Sequence, residues 1–128
     1  MKIWKRVFVG YIFLVFLLNV LPVNGSSSSL NHVYIIHLRL DYWVHMVMFL
    51  PWMGISLLGF RGWMSKPGKP FQKTALILLA GILFAAACES IQYLATWRTF
   101  NINDLLANIL GVLLGIISLT LNHLKLKA

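Results

Sequence analysis

Four runs of apolar residues, Val7–Val23, Tyr42–Phe60, Thr74–Tyr93 and Leu105–Leu121, divide the chain, and the charged residues fall at their rims and between them. The runs hold 17, 19, 20 and 17 residues. A helix rises ~1.5 Å per residue, so each can reach across most of a ~30 Å hydrocarbon core. Backbone polar groups find no water inside lipid, which favours helices over any open strand. The pattern therefore predicts an all-α fold, an integral membrane four-helix bundle, as a single domain over residues 1–128. Pro51 lies inside the second run and predicts a kink there. Pro67, Gly68 and Pro70 predict a turn between the second and third helices.

Composition agrees with this placement. The chain is 59% hydrophobic and 11% charged, with a mean hydropathy of +0.80. Soluble domains carry about a quarter charged residues. The formal charge of +8 does not indicate nucleic acid as a partner, because the cations cluster between apolar runs and are not interleaved with stacking residues on a polar face. They act as topology signals instead. Lys2, Lys5 and Arg6 lie at the start, Arg61, Lys66, Lys69 and Lys73 in the middle loop, and Lys125 and Lys127 in the tail; Arg39 and Arg98 are single cations in the other two loops. The positive-inside rule then places both termini and the middle loop in the cytoplasm, with Ser26–Ser29 and the Ala95–Asn103 loop facing outward. The first run has a second reading as a cleavable signal peptide ending near Val23-Asn24-Gly25. Cys88 is the one cysteine, so no internal disulfide forms, and its alanine neighbours mark it as a packing residue. Trp4, Trp43, Trp63 and Trp97 fall near the expected interfaces, whereas Trp52 is deeper and is expected to pack.

The chain holds three acidic residues, and each is followed three or four positions later by a polar partner. Asp41 and His45 open the second helix, Glu89 and Gln92 close the third, and Asp104 and Asn108 open the fourth. Spacings of three and four put each pair on one helix face. Assigned from cations alone, the topology brings all of these pairs, with Arg98, to the outer leaflet. Small residues continue the same faces. Gly81, Ala85 and Cys88 lead to Gln92, and Asp104, Asn108, Gly111, Gly115 and Ser118 form a stripe containing a GxxxG. Such stripes let helix backbones approach closely in lipid, so Gly81, Gly111 and Gly115 are expected at helix contacts. Asn103 is expected to cap the fourth helix.

These motifs resemble the VanZ-like family of small bacterial membrane proteins. The resemblance rests on Asp41-Tyr-Trp-Val-His45, Glu89-Ser-Ile-Gln92, Arg98 and Asp104-Leu-Leu-Ala-Asn108-Ile-Leu-Gly111, followed by Gly115. It covers residues 41 to 115 and departs from the family pattern at Tyr42 and Thr96. The resemblance implies a multi-pass protein of the bacterial inner membrane with a role in the cell envelope and an effect on sensitivity to glycopeptides such as teicoplanin.

Ionisable groups inside a membrane point to function. The seven polar residues, Asp41, His45, Glu89, Gln92, Arg98, Asp104 and Asn108, fit three readings. In the first they receive the polar head group of a lipid-linked or cell-wall precursor, with Arg98 on its phosphate and the carboxylates either holding a divalent ion that bridges to it or bonding sugar and peptide hydroxyls. In the second, Asp41, His45, Glu89 and Asp104 supply ligands for a divalent metal ion and an acid/base pair for an enzyme acting on lipid-linked phosphate. No HExxH, nucleophile elbow or phosphate loop occurs to name a reaction. In the third, the residues form a structural clasp without chemistry.

Overall fold

The computed structural model describes residues 2–20, 34–35, 38–94 and 101–125. Among these the chain is almost wholly helical: α1 (Lys2–Val20), α2 (Leu40–Phe49), α3 (Trp52–Gly59), α4 (Arg61–Met64), α5 (Pro70–Leu94) and α6 (Ile102–Lys125). A short antiparallel ribbon, β1 (Tyr34–Ile35) with β2 (Leu38–Arg39), precedes α2 and was not legible in the apolar pattern. Leu40–Gly59, Pro70–Leu94 and Ile102–Thr120 are long and apolar enough to cross a membrane. Exposed side chains such as Leu76, Leu83, Leu106 and Ile117 give these helices an apolar exterior, which suits hydrocarbon and would be unusual in water.

Helix boundaries lie outside the apolar runs that announced them. α1 starts at Lys2, α5 at Pro70 and α6 at Ile102, because backbone hydrogen bonding continues past the point where hydropathy falls. Lysine and arginine are good helix formers, and proline is favoured in the first helical position, where its missing N–H is not needed. The expected end of the first helix, residues 21–23, lies outside the described residues, as do Ser26–Ser29.

Pro51 interrupts the second run as expected. α2 stops at Phe49 and α3 resumes at Trp52, since proline offers no N–H to the carbonyl one turn back. The Tyr11 hydroxyl of α1 donates to Met48 O at 2.7 Å beside this interruption. Trp52 follows directly and anchors the interior. Its Nε1 donates to Ile77 O of α5 at 2.9 Å, and its ring stacks on Phe84 and meets Phe8 edge-on. A buried indole N–H needs such a partner. Gly81 makes the approach possible, because a Cβ there would lie 2.6 Å from Trp52 Nε1.

α6 packs against α2, α3 and α5, while α1 packs against α3 and α5. The GxxxG serves contacts within the chain. A Cβ on Gly111 would collide with Met46 O, and one on Gly115 would lie 2.5 Å from Leu50 O. These contacts occur in the same order along both segments, so α2 and α6 run in the same direction. Ser118 is exposed and lies outside this contact, so the small-residue face of α6 ends at Gly115.

The end of the array that holds Phe60 and Trp63 is organised by a buried cation. Lys73 was expected only as a topology signal, yet it is 8% exposed. Its ammonium donates to Trp63 O at 3.1 Å, to Met64 O at 3.2 Å and to Lys66 O. A cation at a helix C-terminus satisfies carbonyls that the helix cannot, so Lys73 ties α4 and the following turn to α5. Gly68 in that turn has φ 138°, a conformation that favours glycine.

The glycine contacts generate a direct test. Gly111→Ala is expected to lower stability by about 1–3 kcal/mol, the usual cost of overpacking, and Gly115→Ala by a similar amount. Gly54→Ala is the matched control, because nothing lies within 4 Å of a Cβ there. Thermal unfolding in one detergent measures all three. A Gly111→Ala protein that melts with the parent would contradict the close α2–α6 approach.

Candidate functional site

The parallel run of α2 and α6, with α5 ending beside them, places the three acidic residues together with His45 and Asn108. Asp41 and His45 occupy the first turns of α2, Glu89 lies near the end of α5, and Asp104 and Asn108 lie in the first turns of α6. All five are buried, with Glu89 and Asn108 fully so. His45 is the hub. Its Nε2 lies 3.7 Å from Asp41 Oδ1 and 3.8 Å from Asp104 Oδ2, and its Nδ1 lies 3.9 Å from Glu89 Oε1. Carboxylates from three helices thus surround one imidazole in a region of low dielectric, where an uncompensated charge is costly.

The amide of Asn108 links two of these groups. Its Nδ2 donates to Glu89 Oε1 at 3.2 Å, which turns its Oδ1 toward His45 Nδ1 at 3.1 Å. A carbonyl oxygen only accepts, so in this arrangement His45 Nδ1 carries the hydrogen.

The start of α6 is held by Asn101. Asn103 N donates to Asn101 Oδ1 at 3.0 Å, and the Asn101 carbonyl accepts from Asp104 N and Leu105 N. Asn101 is therefore the N-cap, two residues before the expected Asn103, because the first helical residue is Ile102. The Asn101 Nδ2 also donates to Asp104 Oδ1 at 3.0 Å. Asn103 donates to the Tyr42 hydroxyl instead, at 3.4 Å.

Arg39 was expected only as a loop cation, yet β2 delivers it to the rim. Its Nη2 pairs with Asp41 Oδ2 at 3.2 Å, Nη1 donates to the Tyr42 hydroxyl at 3.3 Å, and the guanidinium lies 5.0 Å from the Tyr42 ring centre. The signal was its place two residues before Asp41. Arg98, also expected at the site, lies outside the described residues.

Gln92 takes a different partner from its neighbours. It is buried, but its Nε2 donates to Asn19 O of α1 at 2.7 Å and approaches Asn19 Oδ1 at 3.4 Å. Among the described residues no hydrogen bond joins Gln92 to Asp41, His45, Glu89 or Asp104, and its Oε1 has no hydrogen-bond partner. Asn19 went unremarked in the sequence, although an amide inside an apolar run is itself a signal that a polar partner is near.

The family model described as VanZ/LLP1 matches residues 6–123. No curated protein and no solved structure matches the chain.

The cap and the amide contact predict distinct stability losses. Asn101→Ala removes the cap of α6 and is expected to cost about 0.5–2 kcal/mol. Asn19→Leu is expected to cost less, on the order of 0.6 kcal/mol, the average for polar contacts between membrane helices. Melting temperatures of the two variants beside the parent decide this; a larger loss at Asn19 than at Asn101 would reverse the ranking.

Proposed function

The chain belongs to the VanZ/LLP1 family, and we propose that it is a multi-pass protein of the bacterial inner membrane that binds the polar head of a lipid-linked cell-wall precursor. Four membrane-crossing segments form the bundle: α1, the α2–α3 pair, α5 and α6. Both termini and the α4 turn face the cytoplasm, α1 is retained, and the polar cluster opens at the outer leaflet. By engaging the precursor there, the protein alters sensitivity to glycopeptides such as teicoplanin.

One observation carries the reading. The acidic residues of three helices, Asp41, Glu89 and Asp104, converge around His45 at the end opposite the basic loop, with Arg39 at the rim. Carboxylates and amides accept and donate to sugar and peptide groups, and guanidinium suits phosphate. Ionisable groups within membrane segments are expensive and mark ligand sites by default.

Charge supports the orientation. Lys5 and Lys66, with Phe60, Gly62 and Trp63, line a cavity of about 290 Å³ at the other end. Basic pockets of this kind suit the anionic cytoplasmic leaflet.

A clasp without chemistry is favoured by one fact, the hydrogen-bonded path from Glu89 through Asn108 to His45. The two readings differ for Glu89→Gln, which removes a charge and keeps the shape. A clasp predicts a lower melting temperature. A ligand site predicts equal or greater stability, because sites sacrifice stability for function.

Orientation is checked with Ser65→Cys, whose position in the α4 turn is exposed while Cys88 is buried. A membrane-impermeant maleimide should label it only after the membrane is opened; labelling in intact cells would overturn the arrangement. For the ligand, lipids that copurify with the protein are identified by mass spectrometry. Anionic lipid-linked precursors should be enriched over the bulk membrane, and Asp104→Asn should abolish the enrichment. No enrichment in the parent protein would refute the reading.

A further inference from the structure

We infer that the cavity between the start of α1 and α4 binds the head group of one anionic glycerophospholipid, and that an acyl chain of the same lipid lies along α1. Lys5 of α1 and Lys66, just past α4, line this cavity with Phe60, Gly62 and Trp63. At about 290 Å³ it stands at the small end of ligand pockets, with room for a phosphodiester and little more. Packing builds it. A Cβ on Gly59 would lie 3.1 Å from Phe8 Cβ and 3.6 Å from Trp4 O, so the start of α1 seats directly on the end of α3. Phe8 then meets Phe60 edge-on, with ring centres 5.0 Å apart. On the other side, Lys73 holds Trp63, donating to its carbonyl and lying 5.7 Å from the ring centre.

Charge selects the head group. Lys73 is buried in the fold, whereas Lys5 and Lys66 are exposed. Two ammonium groups on one small cavity repel each other, and no carboxylate of the chain offsets them. The three acids, Asp41, Glu89 and Asp104, lie around His45 at the opposite end. An anion shared by both lysines turns that repulsion into attraction, and lysine binds phosphate well as a point charge. A choline or ethanolamine head group would bring a third ammonium to the same place, so the cavity favours an anionic lipid over a zwitterionic one.

A second feature selects a lipid over a free anion. Lys5 also lines a groove of about 550 Å³ with Arg6, Val9, Gly10 and Phe13. These positions follow one face of α1 at helical spacing, from its charged first turns to its apolar middle. Val9 and Phe13 are exposed, and nothing lies within 4 Å of a Cβ on Gly10. Lys5 to Phe13 covers about 12 Å of helix, enough for the first half of an acyl chain. Because Lys5 borders both spaces, one molecule with phosphate at one end and hydrocarbon at the other can fill them together. The inference is independent of the ligand proposed for the polar cluster. That the lipid comes from the cytoplasmic leaflet follows from the orientation proposed above.

The test uses purified full-length protein in detergent micelles doped with phosphatidylglycerol, beside micelles doped with phosphatidylcholine of the same acyl chains. Native mass spectrometry should retain one phosphatidylglycerol per chain in preference to phosphatidylcholine, and the melting temperature should rise with phosphatidylglycerol alone. This comparison needs no variant. Lys5→Gln combined with Lys66→Gln should weaken the binding about 25-fold, roughly fivefold for each lysine. Lys2→Gln combined with Lys69→Gln removes the same charge from residues that line neither space, and should weaken it by about twofold or less, because distant charges are screened. Gly10→Leu, which no neighbouring atom opposes, should reduce retention by filling the groove. Equal retention of the two lipids would overturn the inference. Equal losses in the two double variants would overturn it too, since they would mean diffuse attraction to the basic end. Inorganic phosphate that raises the melting temperature as much as phosphatidylglycerol, or retention that Gly10→Leu leaves unchanged, would refute the acyl chain in the groove. Labelling of Ser65→Cys decides the leaflet separately, and binding in micelles does not depend on it.

Discussion

The close passage of α6 over α2 fixes the position of everything else at the polar end. Gly111 sits against Met46 O and Gly115 against Leu50 O, so the helix axes are as near as backbone atoms allow. Asn108 lies one turn before Gly111, and His45 is the neighbour of Met46. Their 3.1 Å contact follows from the glycine contact and would be lost with a one-residue slip. In lipid no hydrophobic force presses helices together, so small residues and polar contacts must supply the association. Here the two are consecutive on the same face, and each sets the register of the other.

That register assembles a group of charges that hydrocarbon would not tolerate singly. Asp41, Glu89 and Asp104 come from different helices and are almost inaccessible. Their compensation is layered. The outer layer is polar and partly exposed: Arg39, Tyr42, Asn101 and Asn103 join the ribbon to the first turns of α2 and α6. The inner layer is His45 with Asn108. An arrangement in which outer groups fix the acids and one imidazole lies among them has its geometry set before any ligand arrives, and preorganisation of that kind lowers the cost of binding.

Much of this was legible in the sequence. The acidic pairs at i, i+3 and i, i+4 and the GxxxG rest on periodicities that helices impose, and the break at Pro51 rests on the N–H that proline lacks. The Trp52–Gly81 contact was half legible, as a deep tryptophan and a small residue with no sign of their pairing. The ribbon was not legible, since two-residue strands leave no period to read. Arg39 and Lys73 were misjudged for a shared reason. Counting cations for topology treats each as a charge on a loop, and that count is blind to burial. Lys73 satisfies the end of α4 and Arg39 pairs with Asp41, roles that depend on neighbours remote in the count. Gln92 shows the opposite error. Its spacing from Glu89 is right for a shared face, but three residues along a helix also turns a side chain by about 60° from its neighbour, enough to hand it to α1.

The partner that Gln92 finds bears on the first helix, which the sequence allowed to be either a membrane segment or a leader. α1 packs on α3 and α5 along one face, while Ile3, Val9, Phe13 and Leu14 on the rest of it are exposed. Val15 and Asn19 are buried, and Asn19 meets Gln92 through both its carbonyls. Phe8 covers one edge of Trp52, and the Tyr11 hydroxyl donates to Met48 O beside the Pro51 break. Stripping α1 away would leave the Gln92 amide without an acceptor, Met48 O without that donor, and the central indole open on one edge. Those groups lie at both the polar end and the middle of the array. Packing of this kind ties α1 to the same unit that presents the acidic cluster, and it explains why a chain with so few polar residues keeps Asn19 deep in an otherwise apolar run.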